Sequence, residues 1–241
     1  MLMRFSAPMQ AWGIRSRFTE RDTGREPSKS GVIGVLCCAL GRPRSESGHP
    51  LSLAHLAELR LGIRADREGL LRKDYHTAGG GTWGGSGYGV YKASGKKGDP
   101  VLSSRYYLAG AHFLVGLEGQ LTLLEQLYGA IQAPRWQISL GRKSLVPALP
   151  IHLPPHAPEG PGISPEPLEA ALRSLPLGSP LEPLTQKSDA SIRFVVDALA
   201  EDDSADIRLD VPIDFERRLF APRRVTTSFL PVNQLPQRDF K

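Results

Sequence analysis

The stretch TGREPSKSGVIGVLCCALG, Thr23 to Gly41, joins a polar, basic loop to an apolar run and ends on a glycine. The run from Val32 to Leu40 predicts a buried helix, with Ser28 or Ser30 as N-cap and Gly41, followed by Pro43, as its stop. The loop invites comparison with the phosphate loop G-x-x-x-x-G-K-[ST], whose glycines let backbone N–H groups wrap a nucleotide's phosphates. Aligned on Lys29 and Ser30, that pattern fails. Its glycines fall on Thr23 and Ser28, and Pro27 removes a donor, which disfavours ATP and GTP. A helix start still carries free N–H groups and a partial positive charge. With Arg25, Lys29 and Ser30 close by, it is a candidate site for any anion, a nucleic-acid phosphate included. An ordinary capped helix with solvated basic residues accounts for the same stretch.

Working outward, Met1 to Ser6 has strand character and leads into the loop APMQAWG. After the helix, SLAHLAEL suggests a short helical turn, and RLGIRAD, Arg60 to Asp66, alternates like a strand. From Gly79 to Gly98 the chain is glycine-rich, with Trp83, Tyr88, Tyr91, Lys92, Lys96 and Lys97 interleaved. Such a stretch cannot build a core and is expected to be a mobile loop or a protruding hairpin, inserted at about residues 77–105. Strand character resumes in AHFLVGLEG. The next segment, QLTLLEQLYGAI, puts Leu121, Leu124, Leu127 or Tyr128, and Ile131 on one helical face. A second glycine-basic loop, SLGRKSLVP, precedes another probable strand. The order is the βαββαβ of a ferredoxin-like (RRM-like) α+β domain over residues 1–150, with the hairpin between its second and third strands. Residues 151–241 read as a proline-dense connector with one short helix, PEPLEAALRSL. A smaller C-terminal β region follows, formed by ASIRFVVDAL, DIRLDVPI and RRVTTSFLPV.

Over 241 residues the formal charge is +5, spread along the chain, which suits a polyanionic partner without demanding one. The two cysteines, Cys37 and Cys38, are adjacent within the predicted helix and can build neither a disulfide framework nor a metal cage. No carboxylate cluster or His/Cys spacing suggests a metal, and no cofactor is expected. MLMRFSAP lacks the apolar run of a signal peptide, and no stretch approaches the ~18 apolar residues of a membrane span. The expectation is a soluble, cytoplasmic protein.

Four stretches, PMQAWG, Thr23 to Gly41, KDYHT and SLGRKSLVP, stand in that order within the first 147 residues. Together they resemble the CasD subunits of type I-E CRISPR Cascade complexes, members of the repeat-associated RNA-binding superfamily with a ferredoxin-like fold. RRLFAPRRV, Arg217 to Val225, is a loose match to that family's basic C-terminal element, and the C-terminal third otherwise matches poorly. The glycine-rich hairpin departs from the family, where it is charged. The resemblance implies a non-catalytic subunit that grips the 5′ handle of the guide RNA. Its hairpin thumb reaches over the guide toward the neighbouring Cascade backbone subunit, with the large subunit nearby.

Single-stranded RNA is held by basic groups on phosphates and by aromatic or guanidinium planes on splayed bases. Gln10 is then a candidate to read a base edge and Trp12 to stack on a base, although Trp12 reads equally as a core aromatic. Arg25, Lys29 and Ser30 at the helix start, and Gly141, Arg142 and Lys143 in the second loop, are expected to face the RNA backbone. Tyr75, His76, Lys92 and Arg105 are expected to contact RNA along the hairpin. A rival reading is a metal-independent endoribonuclease of repeat RNA using Tyr75, His76 and a lysine. Adjacent residues of an extended segment point to opposite faces, which counts against it. A general single-strand RNA-binding module is a third reading.

Overall fold

The computed structural model describes residues 1–14, 19–45, 50–79, 97–156, 159–178, 190–199 and 202–236, with short pieces at 82–83, 86–87, 90–91 and 94–95. Twelve elements carry the architecture, in chain order β1 (Leu2–Ser6), α1 (Lys29–Leu40), α2 (Leu53–Glu58), β2 (Arg60–Arg67), β3 (Leu70–Ala78), β4 (Val101–Ala109), β5 (His112–Glu118), α3 (Leu121–Gln132), α4 (Leu168–Ser174), β6 (Ser191–Asp197), β7 (Asp206–Asp214) and β8 (Leu219–Pro231).

Local signals govern α1. Ser28 accepts a hydrogen bond from the Gly31 N–H at 3.2 Å, and Gly41 closes the helix in the left-handed conformation, φ +70°. α3 forms where its apolar spacing predicts, burying Leu124, Leu127 and Ile131. Leu121, expected on the same face, is 58% exposed.

One sheet runs β1-β5-β2-β6-β8-β7. β5 lies antiparallel between β1 and β2, with Leu2 opposite Gly116 and Gly116 opposite Gly62. Alternating side chains of these strands feed two cores. Met3, Phe5, Leu61, Ile63, Phe113 and Val115 pack under α1, α2 and α3. Leu2 and Leu114, with Ile192, Phe194 and Val196 of β6, pack under α4.

Up to α3 the order of elements follows the expected one, and the structure is α+β. The strand expected after the second loop is reduced to one bridge, Met3 to His152, with the Arg4 N–H donating to Ile151 O at 2.8 Å. The C-terminal strands do not stand apart in a sheet of their own: β6 pairs along β2, Val195 opposite Ile63, and extends the first sheet. The hairpin also starts earlier than residue 77. β3 and β4 pair from Leu70–Ala109 to Ala78–Val101 and form a second sheet with Met9–Gln10 and Glu20–Arg21.

Candidate nucleic-acid interface

The loop Thr23 to Ser30 is held by charge on both sides, and the partners come from the C-terminal strands. Arg193 of β6 ion-pairs with Glu26 at 2.9 Å and Glu68 at 2.6 Å. Lys29 Nζ meets Asp197 at 2.9 Å, and the Lys29 backbone N–H donates to Asp210 Oδ2 at 2.8 Å. Arg223 closes the lattice, pairing with Asp210 at 2.6 Å and with Asp197. Burial pushes Arg223 down, but the hydrogen bonds and charges of Asp210 and Asp197 outweigh it, so its guanidinium is held above its ordinary value. Lys29 and Asp210, both buried, and Arg223 and Asp197, both largely buried, thus form a lattice of two cations and two carboxylates at the start of α1.

The anion that the helix N-terminus attracts is therefore Asp210, part of the protein. This corrects the reading of Lys29 as a phosphate contact: its ammonium is buried and paired. Ser30 lies 3.3 Å from the N-cap hydroxyl of Ser28 and is half-buried at the mouth of the groove described below. Arg25 alone of this group extends outward, its side chain 74% exposed and 3.5 Å from Glu68.

Gln10 and Trp12 are corrected as well. The Gln10 amide is fully buried; it donates to Phe5 O at 3.1 Å and Ala111 O at 2.8 Å, and accepts from Trp12 Nε1 at 3.2 Å. Every strong hydrogen-bonding direction it has faces protein, so it has nothing to offer a base edge. Trp12 is 1% exposed and stacked on Phe5, ring centroids 5.6 Å apart. Together they hold the PMQAWG loop in place.

That loop is a junction. Trp12 N–H donates to Thr23 Oγ1 at 2.8 Å, Gly24 N–H to Trp12 O at 2.6 Å, and Ala11 N–H to Leu140 O at 3.2 Å. Gly141, at φ +106°, comes so close that an added Cβ would stand 1.9 Å from Ala11 O. Its missing side chain thus serves a close approach to the first loop's backbone. Arg142 is an internal clamp, donating to Tyr106 O at 3.0 Å and Arg21 O at 2.9 Å with its guanidinium over the Tyr107 ring. Lys143 is exposed.

Three motifs, from residues 8–13, 23–41 and 139–147, therefore meet beside α1, and open grooves lie there. The inner one, about 300 Å³, is lined by Trp12, Arg21, Ser28, Ser30, Arg142 and Phe220 among others. The outer one, about 750 Å³, runs along the face of α1 that carries Gly31, Gly34 and Cys38, and is walled by Arg44, Trp136, Lys143 and Phe215. Both share Gly31, Gly141 and Phe215. Among the described residues, no carboxylate lines the outer groove. In the inner one Asp22, the one carboxylate among the described lining residues, accepts the Ile14 N–H at 3.1 Å. Sequence reasoning missed Arg44, Trp136, Phe215 and Phe220. The available signal was that Trp136 stands between Arg135 and Gln137, an aromatic residue in a polar loop.

The fourth motif lies elsewhere, on β3. Tyr75, 67% exposed, and His76 alternate across the strand, so they point to opposite faces. Lys73 shares Tyr75's face and sits over the Tyr106 ring, whereas His76 shares Asp74's, 3.7 Å away. Arg105 is half-buried and donates to Ser103 Oγ at 3.1 Å. The expectations for Lys92, Tyr88 and Lys96, and for the side chains of Trp83, Tyr91 and Lys97, fall outside the described residues.

Residues 1–226 match the family described as "CRISPR-associated protein (Cas_Cas5)". The chain belongs to this Cas5 family. It is 30% identical over 167 residues to the "CRISPR system Cascade subunit CasD" of Escherichia coli (strain K12), covering 64% of this chain and 69% of that protein. The structure called "Crystal structure of Cas protein" superposes with a TM-score of 0.72 at 35% identity, over 99% of this chain and 98% of the other. A chain of a "CRISPR RNA-guided surveillance complex" superposes with a TM-score of 0.73 at 30% identity, over 97% and 91%. The resemblance carried by the four motifs agrees with these matches. In this Cas5 chain, the C-terminal third that matched the motifs poorly supplies the charged partners of the second motif. Among the described residues, no helix is long and apolar enough to cross a membrane.

Proposed function

We propose that this Cas5-family chain is a non-catalytic, cytoplasmic subunit of a Cascade-type ribonucleoprotein that holds the 5′ handle of the guide RNA in the grooves beside α1. The observation that carries the reading is the convergence of three motifs, residues 8–13, 23–41 and 139–147, on an open cleft with cations and aromatic rings but few carboxylates among its described lining residues. Phosphates supply most of the affinity in such complexes, and a cleft of this charge and size accepts an RNA strand. The similarity to CasD and to a chain of a surveillance complex supports the assembly. On this reading residues 1–150 are a ferredoxin-like unit whose fourth strand is worn down to the bridge at His152. The β3–β4 hairpin is the thumb that reaches the backbone subunit, and residues 151–241 complete the sheet and lock α1, with the large subunit docked nearby. The opposite orientations of Tyr75 and His76 favour binding over cleavage, since the two cannot share one phosphate.

The test is the salt dependence of guide binding by the reconstituted complex. Reversal of Lys143 and Arg44 to Glu is expected to weaken binding of every handle sequence and to lower the log–log salt slope by about 0.7 per lost contact. An unchanged slope in the double variant overturns the proposal.

A further inference from the structure

Trp136 and Gly34 are not explained by the fold. The backbone at Trp136 is fixed: its N–H donates to Cys38 O at 3.3 Å, and Cys38 Sγ approaches the carbonyls of Trp136 and Gln137 at 3.6 and 3.1 Å. Yet the indole is 46% exposed and walls the outer groove. Burying an aromatic ring gives one of the largest apolar gains available to a side chain, so a fixed, half-bare tryptophan in a concave site leaves area for a flat ligand. On the same groove stands Phe215, partly buried against the core. It is carried on a turn whose backbone N–H groups, at Glu216 and Arg217, donate to Asp214 Oδ1 at 2.8 and 2.9 Å.

The floor between these rings is α1, where two glycines differ. At Gly31 a Cβ would stand 2.8 Å from the Trp12 ring, so packing requires the glycine. At Gly34 a Cβ would meet no atom within 4 Å. Glycine is a poor helix former, and no neighbour among the described residues requires it at this position. An absent side chain at this point keeps the groove deep. α3 supplies an internal control, because Gly129 also has open space around it but lines no groove described here.

We infer that Trp136, Phe215 and the Gly34 face of α1 form a subsite for one unpaired nucleobase of the bound RNA, with Arg44 and Lys143 on the flanking phosphates and the Gln137 amide at the base edge. The charge and shape of the groove select the occupant: Arg44 and Lys143 beside an exposed tryptophan, with no carboxylate among the described lining residues, fit a nucleotide better than an acidic or purely apolar peptide segment. The inference rests on the handle-binding reading and adds to it the place where a base, as distinct from the backbone, is held.

The experiment uses the reconstituted complex with guide RNAs carrying 2-aminopurine at successive handle positions. One position is expected to be quenched in the parent and restored in Trp136→Ala. That variant is expected to bind the guide about 5- to 150-fold more weakly, the worth of one stacked base, with an unchanged salt slope. Trp136→Phe is expected to keep most of the affinity and the quenching. Gly34→Ala is expected to raise or preserve the unfolding temperature while weakening binding at least about 10-fold, whereas Gly129→Ala gains stability with no change in binding. If Trp136→Ala and Gly34→Ala bind as the parent does while Lys143 and Arg44 reversals still lower the slope, the subsite is wrong and the handle reading stands. If the reversals change nothing either, both fail. Loss of a protein subunit from the complex with the fluorescence profile intact assigns the groove to a polypeptide and overturns the inference.

Discussion

The start of α1 and the loop around Lys143 carry the same kind of sequence, glycine, Arg or Lys, and Ser, and sequence reasoning gave both the same task. The structure gives them opposite ones. At Lys29 each positive group is matched within the protein, by Asp197 and Asp210, and is withdrawn from water. At Lys143 and Arg44 the charge stands at the rim of a groove whose described lining residues include no carboxylate. A basic motif thus fixes that a field exists; the tertiary partners fix whether that field ends inside the fold or reaches a ligand.

The largest test of this contrast removes a member of the buried lattice. Arg223→Leu removes one of the two cations set against Asp197 and Asp210 among the described residues, and is expected to cost on the order of 3–5 kcal/mol in denaturant unfolding. Lys29→Met is expected to destabilise in the same way while leaving the salt slope of RNA binding unchanged in the fraction that remains folded. A lowered slope in Lys29→Met without loss of stability would return that lysine to the RNA interface and erase the contrast.

Next in size is the core of the PMQAWG junction. Gln10→Ala removes the amide that bonds Phe5 O, Ala111 O and Trp12 Nε1 and leaves the buried indole N–H without that acceptor, and a loss of about 1–3 kcal/mol is expected, with no change in handle base preference. Selective loss of discrimination at one handle base, with stability intact, would contradict this.

The smallest effects belong to exposed charge. Arg25→Ala, with an ion pair at 3.5 Å open to solvent, is expected to change stability by no more than about 1 kcal/mol. At Glu169 burial raises the carboxyl, but the hydrogen bonds and charge of Arg60 outweigh it and hold the group below its ordinary 4.5. Its contribution is therefore present above pH 4.5 and is lost as pH falls through the depressed value. Because the pair is partly exposed, Glu169→Gln is expected to remove only a few tenths of a kcal/mol and to flatten acid destabilisation slightly. A loss as large as that of Arg223→Leu would show that exposure does not separate the two kinds of pair.

Where the determining forces act between near neighbours, the sequence was sufficient. The Ser28 cap, the Gly41 stop, the apolar face of α3 and the alternation that parts Tyr75 from His76 each depend on residues within a few positions. The family was legible for a related reason: four short motifs in a fixed order survive as text. The partners of those motifs were not legible. Lys29 meets an aspartate 168 residues away, Gln10 a carbonyl 101 residues away, and β6 joins β2 across the whole proline-dense connector. Trp136 and Phe215 acquire their position in the groove only when α1 lies between them.

The sequence by itself determined the helices, most of the strands, the order of the domain's elements and the family, because hydrophobic period, caps and turns are local. The fold in space settled which basic residues are paired within the protein and which stand at an open groove. Electrostatic partners and stacking surfaces depend on distance in space and on exclusion of water, and neither is written along the chain.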